Sequence, residues 1–175
     1  MEWVFVTNKI KRIVTKKNSL NKLEIASGEK PKEGYLHFDI RRIPQVDVVG
    51  DAKKLPFKSN SFQEVYSRFF LEHLPRNDAI ISLKEMHRVL KKKGKVELIV
   101  PNLKFFSKLF CCGNSQEREW ALKKIYGFDR FKEDHHLFGY DFLEMKRALI
   151  EAGFIRIKQL FDLDEQYLHV EAFKK

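Results

Sequence analysis

The sequence predicts an α/β fold built on a mostly parallel β-sheet, and two observations support this. Short apolar runs recur between residues 23 and 102, and each ends in an acid, a small residue or a proline. Such runs are typical of buried parallel strands. Helix-like spacing of apolar residues appears at 76–91 and again at 140–152.

Five runs make up the predicted parallel strands: L-E-I-A-S-G at 23–28, Y-L-H-F-D-I at 35–40, V-D-V-V-G-D-A at 46–52, S-F-Q-E-V-Y-S at 61–67 and K-V-E-L-I-V-P-N at 95–102. Ligands of parallel sheets bind beyond the carboxyl ends of the strands. The residues that end the runs are therefore expected to converge on one crevice: Gly28, Asp39, Asp51, Ala52 and Ser67.

The connections between the first three strands are unusually short. Only E-K-P-K-E-G separates the first strand from the second, and R-R-I-P-Q separates the second from the third. A parallel crossover usually needs a dozen residues or more, mostly helical. The first two crossover helices are therefore expected to be reduced to loops.

The remaining elements follow from periodicity. A helix is predicted over 76–91, with Gly94 ending its last turn, and a second over 140–152 before Gly153. The tail segments F-I-R-I-K-Q-L-F and Y-L-H-V-E-A-F predict two closing strands. Residues 1–21 predict an amphipathic segment, with helix favoured over strand, that covers the face left open by the missing helices.

Composition favours one domain, since 175 residues with 43% hydrophobic content can bury a core. The net charge of +10 comes mainly from scattered lysines. A solvated, heat-adapted surface is favoured over a binding surface for an anionic partner such as RNA. The adjacent Cys111 and Cys112 form no disulfide framework, and a reducing cytoplasm is expected because no signal peptide or membrane span is predicted.

Taken together, the runs resemble the class I S-adenosylmethionine-dependent methyltransferases, specifically the type 11 group. The resemblance covers most of the chain from Lys22 onward and rests on the order and spacing of these segments: L-E-I-A-S-G (23–28), G-Y-L-H-F-D (34–39), V-D-V-V-G-D-A-K-K-L-P-F (46–57), S-F-Q-E-V-Y-S-R-F-F-L-E-H-L (61–74), L-K-E-M-H-R-V-L-K-K-K-G-K-V-E-L-I-V-P-N (83–102) and L-I-E-A-G-F (149–154).

The resemblance implies a Rossmann-like methyltransferase sheet with an antiparallel last strand. It also implies one domain over residues 1–175: a cover segment at 1–21, a cofactor-binding half at 22–102, a variable substrate or lid region at 103–139, and a closing helix and strands at 140–175. In the Phe-rich stretch 103–110, core packing is favoured over a lid.

S-adenosylmethionine is the cofactor that the resemblance implies, with S-adenosylhomocysteine as product. The implied cofactor-binding residues are Glu24, Ala26, Ser27, Gly28, Asp39, Ile40, Asp51, Ala52, Ser67, Arg68 and Phe69. The turn at 26–28 would offer backbone N–H groups to the methionine end, supported by Glu24 unless that side chain is exposed at an edge. The turn departs from the family's glycine pattern, because Ala26 and Lys30 stand at glycine positions.

Asp39 resembles the family's ribose-binding acid, since a carboxylate can accept from both vicinal hydroxyls. The alternative for Asp39 is an Asx turn before Arg41. Ile40 would press on the adenine. By the same resemblance, Asp51 would accept from the adenine amino group and the Ala52 N–H would donate to a ring nitrogen.

Three histidines are the candidate catalytic residues: His73, His135 and His136. His73 is interpreted equally well as a base or orienting donor and as a packing histidine. His135 and His136 precede the late helix, where substrate-covering loops often lie. No metal site is expected, because no further ligands stand at suitable spacing.

The predicted function is methyl transfer from S-adenosylmethionine to a small-molecule, sugar or lipid-linked acceptor. Two alternatives stay open: an RNA methyltransferase, suggested by the positive charge, and a non-catalytic binding module, suggested by the eroded glycine turn. A nucleic-acid partner is not favoured, because the fourth strand ends S-R-F-F rather than in the N-P-P-Y type used for base amines.

Overall fold

A computed structural model of the chain describes residues 21–128 and 134–175. A seven-stranded sheet lies at its centre in the order β3-β2-β1-β4-β5-β7-β6. The strands are β1 (Lys22–Ile25), β2 (Leu36–Asp39), β3 (Val48–Val49), β4 (Phe62–Arg68), β5 (Leu90–Pro101), β6 (Ile155–Leu160) and β7 (Tyr167–Phe173). The predicted cover segment at 1–21 lies outside the described residues except for Asn21.

The strand directions confirm the predicted sheet. β1 to β5 pair with their neighbours in parallel, whereas β7 runs antiparallel to both β5 and β6. The carboxyl ends of β1, β2, β3 and β4 therefore meet at one edge of the sheet.

The loops that follow β1 and β2 contain turns and bends but no helix, which confirms the reduced crossovers. In the first loop Gly34 has a φ of 84°. This left-handed conformation costs glycine little, because it has no Cβ. The chain therefore turns back into β2 within a connection that is too short for a crossover helix.

Four α-helices lie in the described part of the chain: α1 (Arg76–Val89), α2 (Leu103–Cys112), α3 (Ser115–Tyr126) and α4 (Phe142–Glu151). A short 3₁₀ turn, Leu71–His73, precedes α1. α1 and α4 pack against each other and against the sheet, and α2 and α3 pack together as a hairpin. None of the described helices is long and apolar enough to cross a bilayer.

The predicted end of the first long helix was wrong. α1 ends at Val89, and Leu90 is already extended and paired with Phe62 of β4. Gly94 lies inside β5, where an added Cβ would come within 2.8 Å of the Lys91 carbonyl oxygen. Pairing of Leu90 with β4 thus ends the helix before the lysine run, although lysine favours helix.

The Phe-rich segment 103–110 lies in α2, and only its Phe106 is fully buried. The prediction of core packing therefore holds for Phe106 and not for the whole segment.

The two faces of the sheet differ in chemistry. One face is apolar and packs beneath α1 and α4, with Leu23, Val65 and Leu98 at its centre. The opposite face carries charged side chains: the Lys95 ammonium lies 3.0 Å and the Lys32 ammonium 3.4 Å from the Glu97 carboxylate. The strands thus alternate in polarity over part of their length, whereas Leu98, Ile99 and Val100 of β5 are all buried, which gives that stretch an apolar side chain on both faces.

Side chains of α1 hold the loop between β3 and β4. The Glu85 carboxylate accepts the Leu55 N–H at 2.8 Å. The Arg88 guanidinium donates to the carbonyls of Leu55 and Phe57 at 3.0 and 2.8 Å, and it also pairs with both Glu85 oxygens. One helix face therefore fixes the D-A-K-K-L-P-F segment.

Replacing Arg88 by Ala should lower the free energy of unfolding by about 1–2 kcal/mol, because two carbonyls and a carboxylate lose a charged donor at a partly exposed site. Denaturant titration measures the change. The control Lys84→Ala, at an exposed position of the same helix, should change stability by less than about 0.5 kcal/mol. Equal losses in both variants would contradict the holding role of Arg88.

Candidate functional site

The carboxyl ends of β1 and β2 are joined by direct contacts. The Gly28 N–H donates to Asp39 Oδ2 at 2.9 Å, and the Gly50 N–H donates to the Asp39 carbonyl at 3.0 Å. Gly50 immediately precedes Asp51. The structure therefore brings together the strand-end residues for which the sequence predicted a common crevice.

The turn after β1 has an unusual backbone. Ala26 and Gly28 both have positive φ, of 56° and 60°, a conformation that is uncommon for a residue with a Cβ. The Ser27 N–H donates to the Phe38 carbonyl at 3.2 Å. The N–H groups of Ser27 and Gly28, predicted to face a ligand, thus donate within the protein, whereas the buried Ser27 hydroxyl has no hydrogen-bond partner among the described residues.

The Glu24 side chain holds the loop that follows this turn. The side chain is buried, and its Oε2 accepts the Lys32 N–H at 2.7 Å. Burial raises the pKa of this carboxyl, although the Lys32 N–H and the nearby His37 and Lys32 charges oppose the shift. Glu24 is therefore not exposed at an edge, and it closes the loop that carries the turn.

Asp39 is buried, and both of its oxygens accept backbone N–H groups. Oδ2 accepts from Gly28, and Oδ1 accepts from Arg41 at 2.8 Å. The second bond is the Asx turn that the sequence left open as an alternative. The Arg41 guanidinium also donates to Oδ1, from Nε at 3.4 Å. Each carboxylate oxygen can accept more than one hydrogen bond, so the remaining acceptor capacity is chiefly on Oδ2, which has the Gly28 N–H as its donor.

Next to Asp39, the apolar side chain of Ile40 is 65% exposed. Asp51 is also exposed, and its Oδ1 accepts the Lys53 N–H at 2.8 Å. Ala52 is buried. An exposed apolar side chain and an exposed carboxylate thus stand at neighbouring strand ends, an arrangement that suits a flat ring with a polar edge.

The end of β4 completes the edge. The buried Ser67 hydroxyl donates to the Ile25 carbonyl at 3.0 Å and ties β4 to β1. Phe69 has a φ of 53°, and its ring contacts Tyr167 at a centroid distance of 5.4 Å. The Arg68 guanidinium lies 4.6 Å from the centre of the same ring. Ser67 therefore supports the edge, whereas Phe69 and Arg68 extend it.

The structure brings His73 and His136 into contact. Their rings meet edge to face with centroids 4.9 Å apart. His135 contributes its carbonyl oxygen, which lies 3.1 Å from His73 Nδ1, while its side chain is exposed. Two of the three predicted histidines thus share a site, and the third positions one of them through its backbone.

Glu72 lies beside these histidines, and Tyr140 is near enough to Glu72 to be affected by its charge; neither residue was predicted from the sequence. Glu72 is 2% exposed, and neither of its carboxylate oxygens hydrogen-bonds with the described residues. The buried Tyr140 hydroxyl also lacks a partner among them. The L-E-H-L motif contains a signal for Glu72, because its acid directly precedes a candidate histidine.

Burial controls protonation in this cluster. It raises the pKa of Glu72 to about 8, against the weaker effects of nearby N–H groups and of Lys124. It lowers the pKa of His136 to about 4, with the adjacent His73 adding to the shift. Burial also raises the pKa of Tyr140, and the negative charge of Glu72 raises it further.

Comparison with known proteins identifies the family. A family model described as a methyltransferase domain matches residues 5–98, which is more than half of the chain. The chain belongs to the methyltransferase-domain family.

A similar protein of known name supports this family assignment. A demethylmenaquinone methyltransferase of Staphylococcus aureus (strain JH9) is 34% identical over 128 residues, covering 63% of this chain and 48% of the relative. The chain thus spans about half the length of the curated relatives it matches.

Two solved structures share the fold of this methyltransferase domain. A SAM-dependent methyltransferase from Thermotoga maritima superposes with a TM-score of 0.57 at 18% identity, covering 100% of both chains. One from Methanosarcina mazei superposes with a TM-score of 0.57 at 19% identity, covering 87% of this chain and 91% of the other.

The stability of this methyltransferase domain should depend on pH through Glu72. A folded-state pKa near 8, above the ordinary 4.5, means that the folded state holds a proton that the unfolded state has released. The stabilisation is complete below the unfolded pKa and is lost as pH rises through the folded one, by up to about 1.4 kcal/mol per pH unit. His136 acts in the opposite direction, but only below about pH 6.5.

Denaturant titration between pH 6.5 and 8, in buffer containing a chelator, isolates the contribution of Glu72. Glu72→Gln should remove most of the downward slope in this range. The control Glu29→Gln, at an exposed position, should keep it. A slope that persists unchanged in Glu72→Gln would contradict the assignment.

Proposed function

We propose that the chain transfers a methyl group from S-adenosylmethionine to a small-molecule, sugar or lipid-linked acceptor. The observation that carries the proposal is the contact between the turn after β1 and the acid that ends β2, Gly28 N–H to Asp39 Oδ2. It places a small-residue turn and a buried carboxylate side by side at the carboxyl edge of a parallel sheet, where ligands of such sheets bind.

The residues at this edge fit the cofactor's groups. The Ser27 hydroxyl, which has no hydrogen-bond partner in the described part of the chain, and the turn at 26–28 would meet the methionine end, with Glu24 holding the loop. Asp39 would accept from the ribose hydroxyls, while the exposed Ile40 would cover the adenine. Asp51 would accept a hydrogen bond from the adenine amino group, and the Ala52 N–H would donate one to a ring nitrogen.

Bound S-adenosylmethionine supplies a methyl group that is already activated by the sulfonium. The task left to the protein is mainly to orient two reactants, which can contribute several kcal/mol to lowering the barrier. The left-handed backbone at Ala26 and at Phe69 supports this assignment, because strained conformations cluster at functional sites. Ala26 and Phe69 follow the neighbouring strands β1 and β4 at the same edge of the sheet, whereas the other non-glycine residues with positive φ in the described chain, Asn60, Lys93 and Arg156, do not follow the carboxyl end of a parallel strand.

The acceptor would enter beside the 71–73 turn, where His73 and His136 lie. His136 stays neutral near pH 7, because burial depresses its pKa to about 4. The name of the Staphylococcus aureus relative, a demethylmenaquinone methyltransferase, supports a small-molecule acceptor. If the acceptor must lose a proton during methyl transfer, a residue of this cluster would remove it.

Calorimetric titration of the purified full chain with S-adenosylmethionine and S-adenosylhomocysteine tests the proposal. Both should bind and raise the unfolding temperature, because a ligand of the native state stabilises it by mass action. No binding at millimolar ligand would overturn the proposal. Binding without turnover on any acceptor would favour a non-catalytic module, and RNA retention with a steep salt dependence would favour an RNA acceptor.

Asp39→Ala should weaken S-adenosylhomocysteine binding by more than about tenfold, since each charged hydrogen bond is worth about 1.5–3 kcal/mol. The matched control is Asp47→Ala: the Asp47 carboxylate also accepts a backbone N–H, that of His37 at 3.0 Å. Both variants should lose some stability, because both leave an N–H without its acceptor. Only Asp39→Ala should lose affinity, and equal affinities in the two variants would show that the ribose is held elsewhere.

A further inference from the structure

We propose that Glu72, His73 and His136 bind a divalent transition-metal ion of the zinc type. One ligand atom from each of the three side chains lies within 4.8 Å of the others. They come from two segments that are distant in sequence, the turn after β4 and the stretch before α4. Local motif spacing therefore gave no indication of a metal site.

The two imidazoles have the tautomer that metal ligands usually have. His73 Nδ1 lies 3.1 Å from the His135 carbonyl oxygen, and His136 Nδ1 lies 2.9 Å from the Lys124 carbonyl oxygen. A carbonyl only accepts, so each Nδ1 must carry the hydrogen, and the lone pair of each neutral ring sits on Nε2. Metal-binding histidines typically donate their second N–H to a carbonyl or carboxylate in this way.

Glu72 supplies the second, independent observation. Its side chain is 98% buried, and neither carboxylate oxygen hydrogen-bonds with the described residues. The Lys124 charge lowers the pKa of Glu72 less than burial raises it. A carboxylate at such a depth is therefore costly unless a further cation or a proton compensates it. A cation beside the two imidazoles would provide that compensation.

The space beside Glu72 is suited to a small occupant. Glu72 and His136 both line a cavity of about 10 Å³, a volume near that needed for one water molecule. Phe106, Phe138 and Leu103 form its apolar walls, and Lys124 also lines it. A bound ion would thus be shielded from bulk water on those sides.

The ligand types select the class of ion. Two imidazoles and one carboxylate suit Zn²⁺ and related first-row metals, whereas Mg²⁺ and Ca²⁺ prefer oxygen ligands alone. Three protein ligands leave a coordination position for a water or another oxygen. The site lies on the turn that directly follows β4, so this position adjoins the proposed acceptor entrance.

The test uses the full chain without an affinity tag, stripped of metal by a chelator and carrying Cys111→Ser and Cys112→Ser. These two cysteines are exposed and adjacent, and they would otherwise bind Zn²⁺ themselves. Calorimetric titration with Zn²⁺ should give one equivalent bound and a higher unfolding temperature. Co²⁺ should give visible absorption bands typical of low coordination number with nitrogen ligands.

Glu72→Gln keeps the shape of the side chain and should weaken Zn²⁺ binding by about a hundredfold or more, beyond the 10–100-fold typical of residues that only orient ligands. His136→Gln should do the same and should also change the Co²⁺ spectrum. The matched control is His87→Gln: this half-buried histidine contacts Phe154 outside the cluster, and its replacement should change the affinity less than about threefold.

Absence of stoichiometric Zn²⁺ binding in the cysteine-free chain would overturn the proposal. Equal affinity in Glu72→Gln and His87→Gln would overturn it too, and would instead indicate that Glu72 is compensated by a proton. Because no S-adenosylmethionine is present in these titrations, a negative result would leave the proposed methyl transfer standing.

Discussion

Carboxylates that accept backbone N–H groups hold the loops of this fold in the absence of crossover helices after β1 and β2. Glu24 accepts from Lys32, Asp39 accepts from Gly28 and Arg41, and Glu85 accepts from Leu55. In a parallel sheet the crossover helix normally fixes where each strand ends. Here buried or partly buried side chains do so, and two of these carboxylates stand at the edge where a ligand would bind.

If the proposed cofactor site is correct, the same carboxylates would hold the loops and bind the ligand. Asp39 accepts the Gly28 N–H of the turn after β1, and in the proposed cofactor site it would also accept from the ribose. Ser67 has a structural role instead, since its hydroxyl donates to the Ile25 carbonyl and links β4 to β1. On the charged face of the sheet one carboxylate likewise serves two partners, because Glu97 pairs with the ammonium groups of both Lys32 and Lys95.

Much of this arrangement could be predicted from the sequence. The strand runs and the short connections predicted the sheet, because apolar runs that end in acids are typical of parallel strands. The end of α1 could not be predicted, because the lysines after Val89 favour a helix in isolation, whereas long-range contacts, the pairing of Leu90 with Phe62 and the hydrogen bond from the Lys93 N–H to the Lys174 carbonyl, end the helix. The Glu72, His73 and His136 cluster was predicted only in part, since burial of Glu72 depends on tertiary packing that no local pattern encodes.

A crystal structure of the full chain with S-adenosylhomocysteine would show directly whether these strand ends form the cofactor site. We expect the ligand to lie across the carboxyl ends of β1, β2 and β3. Its ribose hydroxyls should hydrogen-bond to Asp39, its adenine ring should pack against Ile40, and the exocyclic amino group of the adenine should lie near Asp51. A ligand bound elsewhere, or a ribose that does not contact Asp39, would contradict this assignment.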